Sequence, residues 1–498
     1  MSTIQQETRS VRDMLIAAKV LAKDGKADEY PCKQCKIPVW ISFFFDGTGN
    51  NRRNDLDTLS QSNVVALFEA HKSDPKNGVV KFYYEGLGTG FNFDKYSELD
   101  ERKIPRGYVK DFDTTDPKYR KFGYDEQDGL GNTVFGRGFA NGIQQRLQKS
   151  IFDLVTYLDD VYKNHGITEI NLSAFGFSRG ATEARIFMNW LQYAPNVTIQ
   201  GSGTSKKLLY RGKKLNLKFL GIFDTVESIG WAADNKNPEA YRTRIDDCIE
   251  HTMHLTASLE MRQSFPLTPT GKQTAKDIKG LNKHDQIVYP GAHSNVGGGY
   301  QHLEQGKSLG LSRLTLLTMY NRAYAYGVKF YTLKELTSSR NTIYNRFYRL
   351  QDYWQTDFQN FMKHVKKGGT LGQDLANQIA LYHQWIRNGG YSRFIIKQLN
   401  DFRNKSNKRS ALDQSNLELF EDIQKMLNVY LPKGARPKDI QNGVGNKNDL
   451  PSEVIHWFEG YVCDSVGGFV GYANDSWARL QDLKAPQYLI QRGIENPT

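Results

Sequence analysis

Five apolar runs constrain this chain more than any other feature. Pro38–Phe45, Val79–Tyr84, Glu169–Phe175, Leu217–Phe223 and Gln286–Tyr289 are rich in Val, Ile, Phe and Tyr, and each runs into a turn bearing Gly, Asp or His. They mostly lack strict alternation of apolar and polar residues, which is the pattern of strands buried on both faces. Between them lie helical patterns, clearest over Phe139–Tyr162, where Ile143, Leu147, Ile151, Leu154, Leu158 and Val161 recur at steps of three and four. Strands alternating with helices predict an α/β fold with a mainly parallel sheet covered by helices, its sites gathered at the carboxyl ends of the strands. The turns DGTGN, EGLGTG, GFSRG, DTVES and PGAHSN all fall there.

Past Tyr300 the pattern turns helical, over Leu311–Tyr326, an aromatic-rich stretch Tyr344–Val365, Leu371–Ile386 and Asn416–Tyr430, while Pro432–Pro451 has the Gly, Pro and Asn content of an exposed loop. This divides the chain into an N-terminal arm (1–37) with an amphipathic helix candidate at Val11–Ala22, a catalytic-type α/β domain (38–330), and a helical accessory region (331–498) whose end is a candidate to return to the α/β domain. No run reaches the ~20 apolar residues of a membrane span and the N-terminus lacks a secretory pattern, so synthesis as a soluble cytoplasmic protein is expected.

The formal net charge is +12, and residues 301–450 alone hold 23 Lys+Arg against 12 Asp+Glu. A basic stretch suits an anionic surface, whether nucleic acid or acidic lipid headgroups. The same stretch mixes Tyr344, Phe347, Tyr348, Trp354, Phe358 and Phe361 with Arg346, Arg349, Lys363, Lys366 and Lys367. That mixture makes it a candidate membrane-docking region, because rings settle at a headgroup layer while cations meet anionic lipids. The bland reading is that the rings face the core and the cations solvate a helix. No nucleic-acid motif is present, and no nucleic-acid partner is expected.

Four cysteines, Cys32, Cys35, Cys248 and Cys463, are too few for a disulfide framework. The Cys32–Cys35 pair lacks the second ligand pair of a zinc site. It is read as a turn, and no metal or organic cofactor is expected.

Gly176-Phe177-Ser178-Arg179-Gly180 fits G-x-S-x-G, in which a sharp strand-to-helix turn pushes the serine hydroxyl out above the sheet. TEINLSAF before it supplies the strand and ATEARIFMNWLQY after it the helix. A serine needs a base, normally a histidine oriented by a carboxylate, in the chain order Ser, acid, His for this fold. Of ten histidines, His293 follows the strand QIVYP and opens the Gly-rich loop HSNVGGGY, whereas His254 sits in what reads as a helical pattern and His165 at a helix end. Asp224 ends the apolar strand LKFLGIF, where a carboxylate is costly unless it serves a partner. Asp285 stands at the wrong end of its strand, and Glu260 reads as a helical alternative. For the oxyanion, the Arg179 amide and the turn Asp46-Gly47-Thr48 after the first strand are the expected donors. Gly47 and Thr48 would supply the second amide, with Asp46, Gly176, Gly180 and Asn295 supporting the loops.

The motifs FFFDGTGNN, YYEGLGTG, FGRGFANGI, AFGFSRGATEAR, IFDTVESIG and GAHSNVGGGY, in this order, resemble the α/β-hydrolase domain of the phospholipase effectors of the bacterial type VI secretion system, and CDSVGGF is a weaker echo. The resemblance assigns catalysis to Ser178, Asp224 and His293. It implies attack on membrane phospholipids, A1-type at the sn-1 ester. It also implies a secretion-spike partner, a cognate immunity protein, and delivery into the periplasm or membrane surface of a target cell. The family usually carries Asp two positions after the histidine; Asn295 stands here instead.

Overall fold

The computed structural model describes residues 36–89, 143–164, 166–227, 241–262, 265–271, 283–405, 410–429, 450–465 and 494. The helix candidate Val11–Ala22, the Cys32–Cys35 pair, His165, residues 135–142 and residues 432–449 lie outside these.

Eight strands form one sheet: β1 (Lys36–Phe45), β2 (Val79–Tyr84), β3 (Gly166–Phe177), β4 (Val197–Gln200), β5 (Lys207–Tyr210), β6 (Lys213–Phe223), β7 (Thr252–Ala257) and β8 (His284–Tyr289). Six of them run parallel in the order β2-β1-β3-β6-β7-β8. The short β4–β5 hairpin adds antiparallel to the first half of β6. Along β1 the side chains alternate between two cores. Ile41, Phe43 and Phe45 join one, with α2 (Ile143–Asn164) and α3 (Arg179–Trp190); Trp40 and Phe44 join the other, with α1 (Asn63–Ala70) and α5 (Gly310–Ala325). The short α4 (His293–Gly297) follows β8. Burial on both faces explains why these strands read as continuous apolar runs.

Helices α6 (Leu333–Ser339), α7 (Asp352–Met362), α8 (Leu371–Arg387), α9 (Gly390–Asn404), α10 (Ala411–Val429) and α11 (Ser452–Tyr461) follow. Buried residues of this region, among them Leu336, Tyr348, Phe361, Trp385 and Phe458, belong to the same core cluster as Trp40 and Phe44, while Leu375 of α8 joins Leu267 and Val288 in a small separate one. Tyr348 Oη donates to Ala66 O (2.8 Å) and Tyr331 N to Ala70 O (2.8 Å), so packing continues across residue 330.

Three sequence readings are corrected. His254 is not helical but lies in β7, and Glu260 lies in the loop after it. All six residues of β7 are buried between β6 and β8, so it lacks the alternation that marks a strand. The stretch Tyr344–Val365 is broken after a π turn at Tyr344–Tyr348, and α7 begins only at Asp352. Most of its rings are core: Phe347, Tyr348, Trp354 and Phe361 are buried, while Lys363, Lys366 and Lys367 are exposed. Insertion of those four rings into a headgroup layer is therefore ruled out in this fold. Apolar burial outweighs interfacial placement for rings at this spacing.

Candidate active site

The parallel register sets the site. Phe177 of β3 pairs with Phe223 of β6, so the residues that follow, Ser178 and Asp224, leave the sheet side by side. Both have left-handed backbones, φ 59° at Ser178 and φ 41° at Asp224. Such conformations in non-glycine residues cost about 1–3 kcal/mol and persist where surrounding structure enforces them. Here Ser178 N donates to Phe223 O (3.0 Å), and Ala181 N and Val226 N donate to Ser178 O (3.1 and 3.3 Å). The flanking glycines are required by close approach. A Cβ on Gly176 would lie 2.2 Å from Gly180 O, and one on Gly180 would lie 2.2 Å from Asp46 O.

Asp224 is fully buried. Its Oδ1 accepts from Ala257 N at the end of β7 (2.7 Å), and its Oδ2 pairs with His293 Nδ1 (2.6 Å). His293 begins α4, its ring packed against Phe177 (centroids 4.6 Å apart) and met edge-on by Phe265 (5.3 Å). Its Nε2 is buried without a hydrogen-bond partner among the described residues, and no hydrogen bond joins it to Ser178 Oγ. Catalytic contacts of this kind commonly tighten only when substrate binds. Ser178 is 2% exposed, not the exposed hydroxyl that the elbow motif predicts; the turn after β6 packs on it, with Val226 N bonded to its carbonyl.

Burial holds the His293 imidazole below the ordinary histidine range; the hydrogen bond and charge of Asp224 oppose this, Arg262 adds to the lowering and Glu260 opposes it. A base must be neutral to take a proton, so the acid limb of a His293-dependent pH–rate profile is expected below the ordinary histidine value. A limb above that value would show that another group titrates.

The turn after β1 is built around Asp46. Its buried carboxylate accepts from Gly47 N (2.8 Å), Ser62 Oγ (2.5 Å) and Tyr83 Oη (2.5 Å), and burial pushes it up to about 7 against those bonds. The Gly47 amide, expected to face an oxyanion, is thus directed at Asp46. The Thr48 amide has no partner among the described residues, and Thr48 Oγ1 accepts from Arg179 Nε (2.6 Å), tying this turn to the elbow. The Arg179 amide opens α3, where the first N–H groups point out of the helix.

Asn295 Oδ1 accepts from Ala292 N (3.2 Å) and from Cys463 N (3.0 Å), joining the histidine turn to the C-terminal segment. A carboxylate oxygen could accept the same two bonds. Asn295→Asp is therefore expected to melt close to the parent, whereas Asn295→Leu leaves two buried amides unsatisfied at about 1–3 kcal/mol each. Thermal denaturation separates the two; equal losses would show that the oxygen is not what holds the turn.

The sequence names Glu260 only as a helical alternative for the acid, whereas it accepts a long bond from His293 N (3.4 Å); Phe265, which meets the ring, Arg262, and Ser465, which bonds Glu260, escaped sequence reading. Only the CDSVGGF echo hinted that residues near 465 return here. His254, set aside as helical, accepts from Thr225 N at Nε2 (3.1 Å), beside Asp224.

Sheet, elbow and the Asp224–His293 pair define an α/β-hydrolase-like protein. The model of the type VI secretion system phospholipase effector Tle1-like catalytic domain matches residues 41–208 and 200–322, more than half of the chain. The chain belongs to that family. A crystal structure of an uncharacterized protein from Pseudomonas aeruginosa is similar, with 23% identity over 84% of this chain and a TM-score of 0.50, which bears on fold alone. The structure of the Tle1 effector bound to the VgrG spike from the type 6 secretion system is a more distant neighbour, with 20% identity over 56% of this chain and a TM-score of 0.32. This chain spans 65% and 54% of the lengths of those two chains. No curated protein matches it.

Proposed function

We propose that this protein is an antibacterial phospholipase that hydrolyses acyl esters of membrane phospholipids with Ser178 as nucleophile, His293 as base and Asp224 as its orienting acid. The observation that carries this reading is the buried Asp224–His293 pair, 2.6 Å apart, at strand ends adjoining the strained Ser178 turn. His293 Nε2 takes the hydroxyl proton as Ser178 Oγ attacks the ester carbonyl. The tetrahedral oxyanion is met by the Arg179 and Thr48 amides, and the alcohol leaves with the proton from His293. A water activated by the same imidazole then frees the fatty acid. None of these steps requires a metal or organic cofactor.

Family membership supports an A1-type cut, carriage on a secretion-spike protein, an immunity protein in the producer, and release at the target's periplasmic membrane surface. Among the described residues no helix is long and apolar enough to cross a membrane. The division into an arm (1–37), a catalytic domain (38–330) and a basic helical region (331–498) is proposed on the same footing, with the described residues of the last packed into the catalytic core. The test is interfacial: the rate is expected to jump when one phospholipid passes from monomers to vesicles. A rate indifferent to that change favours a soluble carboxylesterase or thioesterase.

Docking is proposed to rest on the exposed Lys363, Lys366 and Lys367. Each cation near an acidic surface contributes about 1 kcal/mol. Changing all three to Glu is expected to weaken binding to acidic vesicles sharply at low salt, yet leave hydrolysis of a soluble short-chain ester unchanged. Vesicle binding that ignores both charge and salt would sink electrostatic docking.

A further inference from the structure

We propose that Glu260 and Arg262 form a positioning pair for His293, locked from the far end of the chain by Ser465. The inference rests on the Ser-His-Asp reading above and adds residues that touch neither substrate nor reacting atoms.

Glu260 is completely buried in the loop after β7, the strand whose end also supports Asp224. Arg262 grips it in a fork, Nε to Oε1 and Nη2 to Oε2, both 2.8 Å, while the Arg262 amide donates to Oε1 as well (2.8 Å). The guanidinium then lies over the Phe265 ring at 3.6 Å from its centroid, and that ring meets His293 edge-on. The imidazole also packs against Phe177, their centroids 4.6 Å apart. The histidine thus contacts two rings, one of them pinned by a paired cation. Glu260 Oε2 also accepts a long bond from His293 N (3.4 Å), so the pair reaches both the side chain and the backbone of the base.

A carboxylate and a guanidinium buried together are costly unless their geometry is well satisfied. Here the remaining acceptor capacity is filled from about 200 residues away in sequence. Ser465 Oγ donates to Glu260 Oε1 (2.8 Å) and accepts from Met261 N (3.4 Å). The two residues before it are anchored to the histidine turn and its extension. Cys463 N donates to Asn295 Oδ1, and Asp464 N donates to Gln305 Oε1 (2.7 Å), whose Nε2 returns a bond to Asp464 O (3.0 Å). Residues 463–465 therefore bind both loops that flank the base, which gives the return of the C-terminal segment a role in the site.

Charge distinguishes this role from plain packing. The charged groups that act on the imidazole are Asp224 at the end of β6 and the Glu260–Arg262 pair after β7, with Tyr300 beyond α4 facing Arg262. Glu260 favours the imidazolium and Arg262 opposes it. Removing either alone unbalances the other, in opposite directions. Without Glu260 the unpaired guanidinium makes His293 harder to protonate, so the acid limb of kcat/KM moves to lower pH. Without Arg262 the unpaired carboxylate makes it easier, and the limb moves to higher pH.

The test measures kcat/KM against pH with p-nitrophenyl butyrate for the full chain and for Glu260→Gln, Arg262→Met and the double variant, each checked by circular dichroism and melting. Opposite displacement of the limb in the two single variants is expected, with return toward the parent position in the double variant. Neutral-pH rates should fall on the order of tenfold, the scale on which groups that orient a reactive ligand act. If a single variant fails to fold, the double variant still decides. It leaves no unpaired charge, and its limb should stay in place while kcat falls and KM does not. Limbs that do not move in the singles, or move the same way, overturn the proposal, as does a double variant with parental kcat. Ser178→Ala run alongside separates the two readings: activity that survives it overturns the serine mechanism, whereas Ser178-dependent activity with unmoved limbs overturns only the positioning pair.

Discussion

Ser178→Ala is expected to yield a folded protein whose ester hydrolysis has fallen on the order of 10³-fold or more, the scale of loss when a triad loses its nucleophile. The left-handed turn is held by bonds to the backbone nitrogen and oxygen of Ser178, and by the room that Gly176 and Gly180 leave, not by its hydroxyl. Alanine keeps those bonds and loses only the oxygen that attacks. Because Ser178 is buried, the change leaves a small void, and a modest drop in melting temperature should accompany the lost activity. Activity within tenfold of the parent in a folded variant would remove Ser178 from the mechanism.

Asp224→Asn should be nearly as damaging, through the proton on His293 and not through shape. In the parent, Oδ2 faces Nδ1, so Nδ1 carries hydrogen and Nε2 is left as the acceptor. The Asp224 oxygen that meets Ala257 N must stay an acceptor, because an amide N–H cannot accept a bond. The amide NH₂ is therefore turned toward His293, and Nδ1 must become the acceptor. The hydrogen moves to Nε2, which can no longer take a proton from serine. Losing that tautomer in another serine triad cost about 10⁴-fold in kcat, and a similar loss is expected here. His293→Ala should match Ser178→Ala. If Asp224→Asn retained activity within tenfold, the orienting acid would lie elsewhere, with Glu260 the nearest candidate by its contact to His293 N.

Much of this arrangement was legible because it depends on local chemistry. The central strands β1, β3 and β6 are flanked on both faces, so their apolar runs stood out, and the breaks after β3 and β6 marked the strand ends where Ser178 and Asp224 sit, as the break after the shorter run of β8 marked His293. β7 was illegible for the opposite reason. His254 and Thr256 are buried polar residues whose partners, Thr225 and Gln286 for the first and Ile287 for the second, are visible only once the chain is folded. Reading that run as helical also misplaced Glu260 and hid its partner Arg262. The β4–β5 hairpin is short and half solvated, with no run long enough to register. Likewise the aromatic stretch from Tyr344 to Phe361 announced burial but not against what: its rings complete the core that begins at Trp40. Long-range pairings such as Ser465 with Glu260 leave no periodic trace at all.

The most direct test is mass spectrometry of the products released from vesicles of a phospholipid with different acyl chains at sn-1 and sn-2. The account predicts the sn-1 fatty acid and the 2-acyl lysophospholipid from the parent protein, and intact lipid from Ser178→Ala. Lipid left intact by a folded parent, or the same products from both proteins, would contradict it.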